Sequence, residues 1–129
     1  MNRSKAMSGS LILLGVVSLV AAFSPAADFQ GTWVGSVETG MGVDELTLTL
    51  KKAGTGYAGI LNDSLGLVDK DSAIAEVAVD QSVISFSFKA MQQTMEFSMR
   101  LTLDGDKLTG ELQNKAQGAG VPFEFARKK

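Results

Sequence analysis

From residue 29 to residue 125 the chain alternates apolar and polar side chains with period two, and turn-forming residues punctuate the alternation. Successive side chains of a strand point to opposite faces, so this pattern dictates a sheet with one dry face and one wet face. Residues 44–52 carry the clearest instance, with Leu46, Leu48 and Leu50 alternating with Thr47, Thr49 and Lys51. Threonine on the wet side suits a half-buried strand. No segment holds a helical period over a useful length. A sheet with a single dry face must close on itself or find a cover.

Eight such segments are expected: residues 29–38, 44–52, 57–62, 72–79, 84–89, 95–103, 108–113 and 121–127. Glycine-bearing turns separate several of them, including Ala53-Gly54-Thr55-Gly56 and Asp104-Gly105-Asp106, which are hairpin signals. Residues 63–71 form the longest irregular stretch. The segment 72–79 differs from the rest, because Ile74, Val77 and Val79 combine with Ala73, Ala75 and Ala78 to leave both faces largely apolar apart from Glu76. The expected fold is all-β, an eight-stranded antiparallel up-and-down barrel in meander order, since closure removes exposed sheet edges. A two-sheet sandwich is the alternative; short sequential hairpins favour the barrel.

Residues 1–27 read as a cleavable signal peptide, leaving a mature domain over residues 28–129. Arg3 and Lys5 make a basic start, residues 11–23 are apolar but for Gly15 and Ser18, and Ser24-Pro25-Ala26-Ala27 supplies small residues for cleavage. The apolar run is shorter than the roughly 20 residues a spanning helix needs. With no cysteine there is no lipid-modified N-terminus, so the mature chain is expected to be exported, periplasmic or extracellular, with no stable membrane anchor.

Removing Arg3 and Lys5 from 12 basic residues leaves 10 against 14 acidic ones, a net charge of −4. Binding to nucleic acid needs a positive stripe, and no basic cluster exists beyond Arg127-Lys128-Lys129. The chain has no histidine and no cysteine. That excludes Ser-His-Asp and Cys-His catalysis, thiolate nucleophiles and His- or Cys-based metal sites. Asp44-Glu45 and the pair Asp104 and Asp106 read as solvated turn residues rather than catalytic carboxylates. Asn62, Asp63, Ser64, Asp69 and Asp71 gather oxygen in one loop, yet their spacing matches no known calcium loop. The chain is therefore expected to be non-catalytic, without metal or cofactor.

The inward parity carries the functional expectation. Trp33, Leu48, Phe86, Phe88, Met95, Phe97, Met99 and Phe123 are the candidate lining for a small hydrophobic ligand. Methionine adapts to irregular shapes. Gly31, Gly35, Gly59 and Gly110 share that parity and leave room, or mark bends. Eight-stranded barrels lie between a filled interior and one with space for a small ligand. The other expectation is an interaction module, in which segment 72–79 together with Val34 and Ile60 presents an apolar patch to a secreted partner.

Phe29-Gln30-Gly31-Thr32-Trp33 resembles the opening strand of the calycins, the lipocalin and fatty-acid-binding superfamily, in which a Gly-x-Trp motif sets an indole across one end of the barrel. That resemblance implies a basic partner for Trp33 near the last strand, and Arg127 after Phe123-Glu124-Phe125-Ala126 holds the matching position. The order Gly31-Thr32-Trp33-Val34-Gly35, Gly56-Tyr57-Ala58-Gly59, Asn62-Asp63-Ser64, Gly105-Asp106-Lys107-Leu108-Thr109-Gly110, Gln117-Gly118, Val121-Pro122-Phe123 and Arg127 also looks like a group of small secreted bacterial domains. These occur alone or beside serine hydrolases of α/β-hydrolase or β-lactamase-like type. The likeness implies export and a barrel, and it makes an accessory role beside a secreted hydrolase the alternative function.

Overall fold

The computed structural model describes residues 27–129, and the signal-peptide reading lies outside them except for Ala27. Nine strands form one antiparallel sheet: β1 (Gly31–Thr39), β2 (Gly42–Ala53), β3 (Gly56–Asp63), β4 (Ser72–Ala73), β5 (Ala75–Asp80), β6 (Val83–Ala90), β7 (Met95–Asp104), β8 (Lys107–Asn114) and β9 (Gly120–Arg127). Their order across the sheet is β4-β3-β2-β1-β9-β8-β7-β6-β5. The first long strand meets the last through Trp33 opposite Arg127 and Val34 opposite Ala126. The two edge strands, β4 and β5, are consecutive in the chain, so the sheet curls into a nearly closed barrel.

Nine strands rather than eight is a correction, and its cause is local. The segment expected as one strand breaks at Ile74. Ser72 and Ala73 pair with Leu61 and Ile60 of β3, while Ala75–Asp80 pairs with β6. Ile74 is buried, and its amide still donates to the Gly59 carbonyl at 3.1 Å. One apolar side chain thus turns into the core as the chain changes partners. Glu76 has φ 55° beside a register shift against β6, which is a bulge that sharpens the bend. Apolar residues on both faces of this segment serve a strand that leaves one neighbour for another.

The core follows the inward parity. Trp33, Leu48, Leu50, Leu61, Ile84, Met99, Leu101, Leu108 and Phe125 are fully buried. One end is sealed. Residues 27–30 do not begin the first strand but run beneath it, where Phe29 packs edge-on against Tyr57 with ring centres 5.4 Å apart. The Trp33 indole N–H donates to the Phe29 carbonyl at 3.0 Å, and the Phe29 amide donates to the Tyr57 hydroxyl at 3.2 Å. The Arg127 guanidinium lies 4.2 Å from the centre of the Trp33 ring. It also donates to Asp106 at 3.1 Å, to the Asp28 carbonyl at 3.3 Å and to the Gln30 carbonyl.

Candidate functional site

The opposite end is open. The β1–β2 turn, the strap of residues 64–71 and the β6–β7 turn surround it. A cavity of about 280 Å³ enters the barrel there, walled by Val37, Leu46, Val68, Phe88, Phe97 and Leu112, with Leu67, Ala90 and Met91 completing the apolar surface. Phe88 and Phe97 face each other across the β6–β7 ladder, nearly parallel, with ring centres 5.5 Å apart. The volume exceeds the roughly 150 Å³ of an apolar cavity that takes up benzene, and approaches the about 300 Å³ at which ordinary ligand pockets begin.

The residues expected to line a ligand separate into groups. Phe88 and Phe97 wall this cavity. Leu48, Phe86, Met99 and Phe123 are buried in the packed core away from its wall, and Trp33 sits at the sealed end. Met95 is half-buried at the start of β7, beside the polar loop around Lys115. The glycines explain why the deeper residues leave no space. A Cβ at Gly35 would fall 2.8 Å from the Phe123 ring, and one at Gly59 would fall 2.8 Å from Leu50 and 3.0 Å from Ile74. At Gly110 the Arg100 backbone carbonyl itself occupies the position. What these glycines vacate, a neighbouring strand or side chain fills.

Asp44 is the residue that sequence reasoning misplaced. Expected as a solvated turn carboxylate, it is 3% exposed and contributes to the cavity wall. It lies two residues before Leu46, on the parity of Leu46, Leu48 and Leu50, and that parity is the signal that finds it. Its Oδ1 accepts from the Ser64 amide at 3.1 Å, the Leu65 amide at 3.1 Å and the Ser64 hydroxyl at 3.3 Å. Asp63, the last residue of β3 before the strap, accepts from the Leu67 amide at 2.8 Å and the Val68 amide at 3.0 Å. Burial pushes the Asp44 carboxyl above the ordinary aspartate range, and the neighbouring Asp63 carboxyl adds to the rise; the Leu65 amide opposes it. Two carboxylates thus fasten the strap by its backbone amides, and the Met91 amide ties it to the β6–β7 turn through the Leu67 carbonyl at 2.7 Å.

The oxygen-rich loop is likewise occupied internally. Asn62 and Asp71 hydrogen-bond reciprocally, through the Asn62 amide group at 3.1 Å and the Asp71 backbone amide at 2.8 Å. Around the mouth three consecutive non-glycine residues, Met91, Gln92 and Gln93, have φ between 56° and 66°. L-residues adopt that conformation at a cost, so the turn is held by its surroundings, including the Thr94 hydroxyl on the Met91 carbonyl at 2.6 Å.

In comparisons with family models, curated proteins and solved structures, none matched the chain.

Proposed function

We propose that this chain is an exported, non-catalytic barrel of calycin-like type that holds a small apolar molecule in its open mouth. The observation that carries this reading is the cavity at the unsealed end, apolar on most of its wall and floored by two stacked phenylalanines. Binding pockets of small ligands are concave, mostly apolar and set with few polar groups, and the mouths of β-barrels are a common place for them. The deeper interior contributes rigidity rather than space. A sealed end and a filled core confine a guest to the mouth, which favours a compact ligand over a long-chain one. The absence of histidine and cysteine supports a binding role over acyl or thiol chemistry.

Two measurements on the purified protein test the proposal. Native mass spectrometry should retain a small apolar molecule acquired in the exporting cell, and N-phenyl-naphthylamine should bind saturably with enhanced fluorescence. A protein that retains nothing and leaves the probe dark overturns it.

A second reading, a docking module for a secreted hydrolase or another exported protein, has its own support. Met41, Val43, Leu65, Met91 and Val121 are exposed large apolar residues, and the strand directions bring all five to the open end. Ile60 and Val79 are exposed elsewhere, and Val34 is half-buried. The apolar rim therefore surrounds the mouth more than it follows the bent segment. Cross-linking in the exporting cell should place a partner at Met41 or Val121; cross-links only to β4 and β5 contradict a rim-centred interface.

A further inference from the structure

We propose that the mouth cavity takes an amphiphile with an ammonium head and rejects one with a carboxylate head, an inference that rests on the cavity being a ligand site. The polar groups of the wall are Glu38, Thr39 and Asp44, so it carries two carboxylates and no lysine or arginine. Asp44 is nearly fully buried, and every side-chain hydrogen bond it accepts ends on Oδ1. Among the described residues no backbone N–H, side-chain amide or hydroxyl donates to Oδ2, and the Asp63 carboxyl lies within hydrogen-bonding reach of the Asp44 carboxyl. Behind it stands Asp63, both of whose oxygens are taken by strap amides.

A buried carboxylate short of N–H and hydroxyl donors is unfavourable, and a second carboxyl group in hydrogen-bonding contact with it deepens the negative potential when both are charged. A donor-bearing cation entering from the mouth relieves both. Nearby basic residues do not supply it. Lys115 is engaged by Glu76 at 2.9 Å and Glu96 at 3.1 Å, while Lys70 and Lys89 are exposed and outside the cavity wall. A carboxylate head would instead meet like charges in a site walled by Leu46, Phe88 and Phe97, where water screens them poorly. An apolar tail against the phenylalanines with an ammonium toward Asp44 satisfies the wall as built.

Displacement of N-phenyl-naphthylamine from the purified protein at neutral pH by octylamine, octanol and octanoate tests this directly. Their tails match and their heads differ. Octylamine should displace best and octanoate worst, with at least about a tenfold ratio between them. Asp44→Asn should shrink that ratio. Glu38→Gln should shrink it as well, and because Glu38 is exposed this variant keeps the test open if the first fails to fold. Octanoate matching octylamine, or a ratio untouched by both substitutions, overturns the inference. Equal displacement by all three ligands removes the head-group preference while leaving an apolar site; a probe that never binds removes both.

Discussion

Asp44 and Arg127 each draw a distant loop or terminus onto the sheet, at opposite ends of the barrel, and their chemistry differs in a way that can be measured. The Asp44 carboxyl titrates higher when folded than when unfolded, because burial and then Asp63 disfavour its charge. Between the ordinary aspartate value of about 4 and the raised folded value, the folded chain binds more protons than the unfolded one. This residue therefore adds stability in acid that is lost as pH rises through that window. Asp28 and Glu76 act in the opposite sense. Each is held below its ordinary value, Asp28 first by the Gln30 amide and Glu76 first by the Ser87 hydroxyl, so their contributions fade as pH falls. Asp44→Asn retains an oxygen for the strap amides but cannot titrate. The melting temperature of wild type minus that of Asp44→Asn should shrink from about pH 4 toward neutrality; a difference that grows over that range contradicts the assignment.

At the sealed end Arg127 combines a cation over an indole with hydrogen bonds to Asp106, Asp28 and Gln30. The guanidinium is partly exposed, which discounts its charge. Arg127→Ala should cost about 1–3 kcal/mol in urea unfolding, with a red shift of Trp33 emission as its cover is lost. Arg127→Lys should fall between, keeping the cation and losing the fork that reaches several acceptors. Wild-type stability in Arg127→Ala would show that the last strand holds without this contact.

Among the elements, the β7–β8 ladder shows how closely the barrel is drawn together. Gly110 pairs with Leu101, and a Cβ there would strike the backbone carbonyl of Arg100 and approach the Leu101 Cα at 3.1 Å. A backbone cannot rotate away as a side chain can. Gly110→Ala should cost about 2–3 kcal/mol, as overpacking does elsewhere. Gly56, with open space around it, should tolerate alanine within about 0.5 kcal/mol. Equal thermal stabilities of the two variants would mean that the strands separate freely at Gly110.

The bent segment shows what alternation can and cannot reveal. Each of the eight expected segments overlaps a strand, because a period of two comes from backbone geometry and needs no partner to be read. The break at Ile74 depends on partners instead: β3 is available to Ser72 and Ala73, β6 to the residues beyond. Phe29 has the inward parity of a strand residue yet turns beneath the barrel to meet Tyr57, a contact made across 28 positions of chain. The glycines mislead for the same reason. Gly35 signals missing volume, but only the fold shows that the Glu124 backbone carbonyl and the Phe123 ring fill it.

For the whole molecule, ends matter more than faces. One is plugged by Phe29, Trp33, Tyr57 and Arg127; the other is framed by a fastened strap and a strained turn over an apolar hollow. Of the eight residues expected to line a ligand, two reach the cavity wall. Phe88 and Phe97 stood out as inward aromatics, whereas Asp44, expected as a solvated turn residue, is buried on the parity of the leucines after it. The strap was not legible, since Val68 enters the wall through carboxylates contributed by other positions rather than through any pattern of its own. The proposed ligand site is the mouth, where the hollow is mostly apolar, because the side chains deeper in the barrel are buried against one another.

Leu112→Trp tests that conclusion most directly. Leu112 is half-buried at the cavity wall on β8, so a larger side chain can grow into the hollow without displacing the core. Wild type should bind N-phenyl-naphthylamine saturably at one site, and the variant should bind it at least about tenfold more weakly, a change of about 1.4 kcal/mol, while melting within a few degrees of wild type. Unchanged probe affinity in a folded Leu112→Trp protein would place the ligand elsewhere and contradict the account.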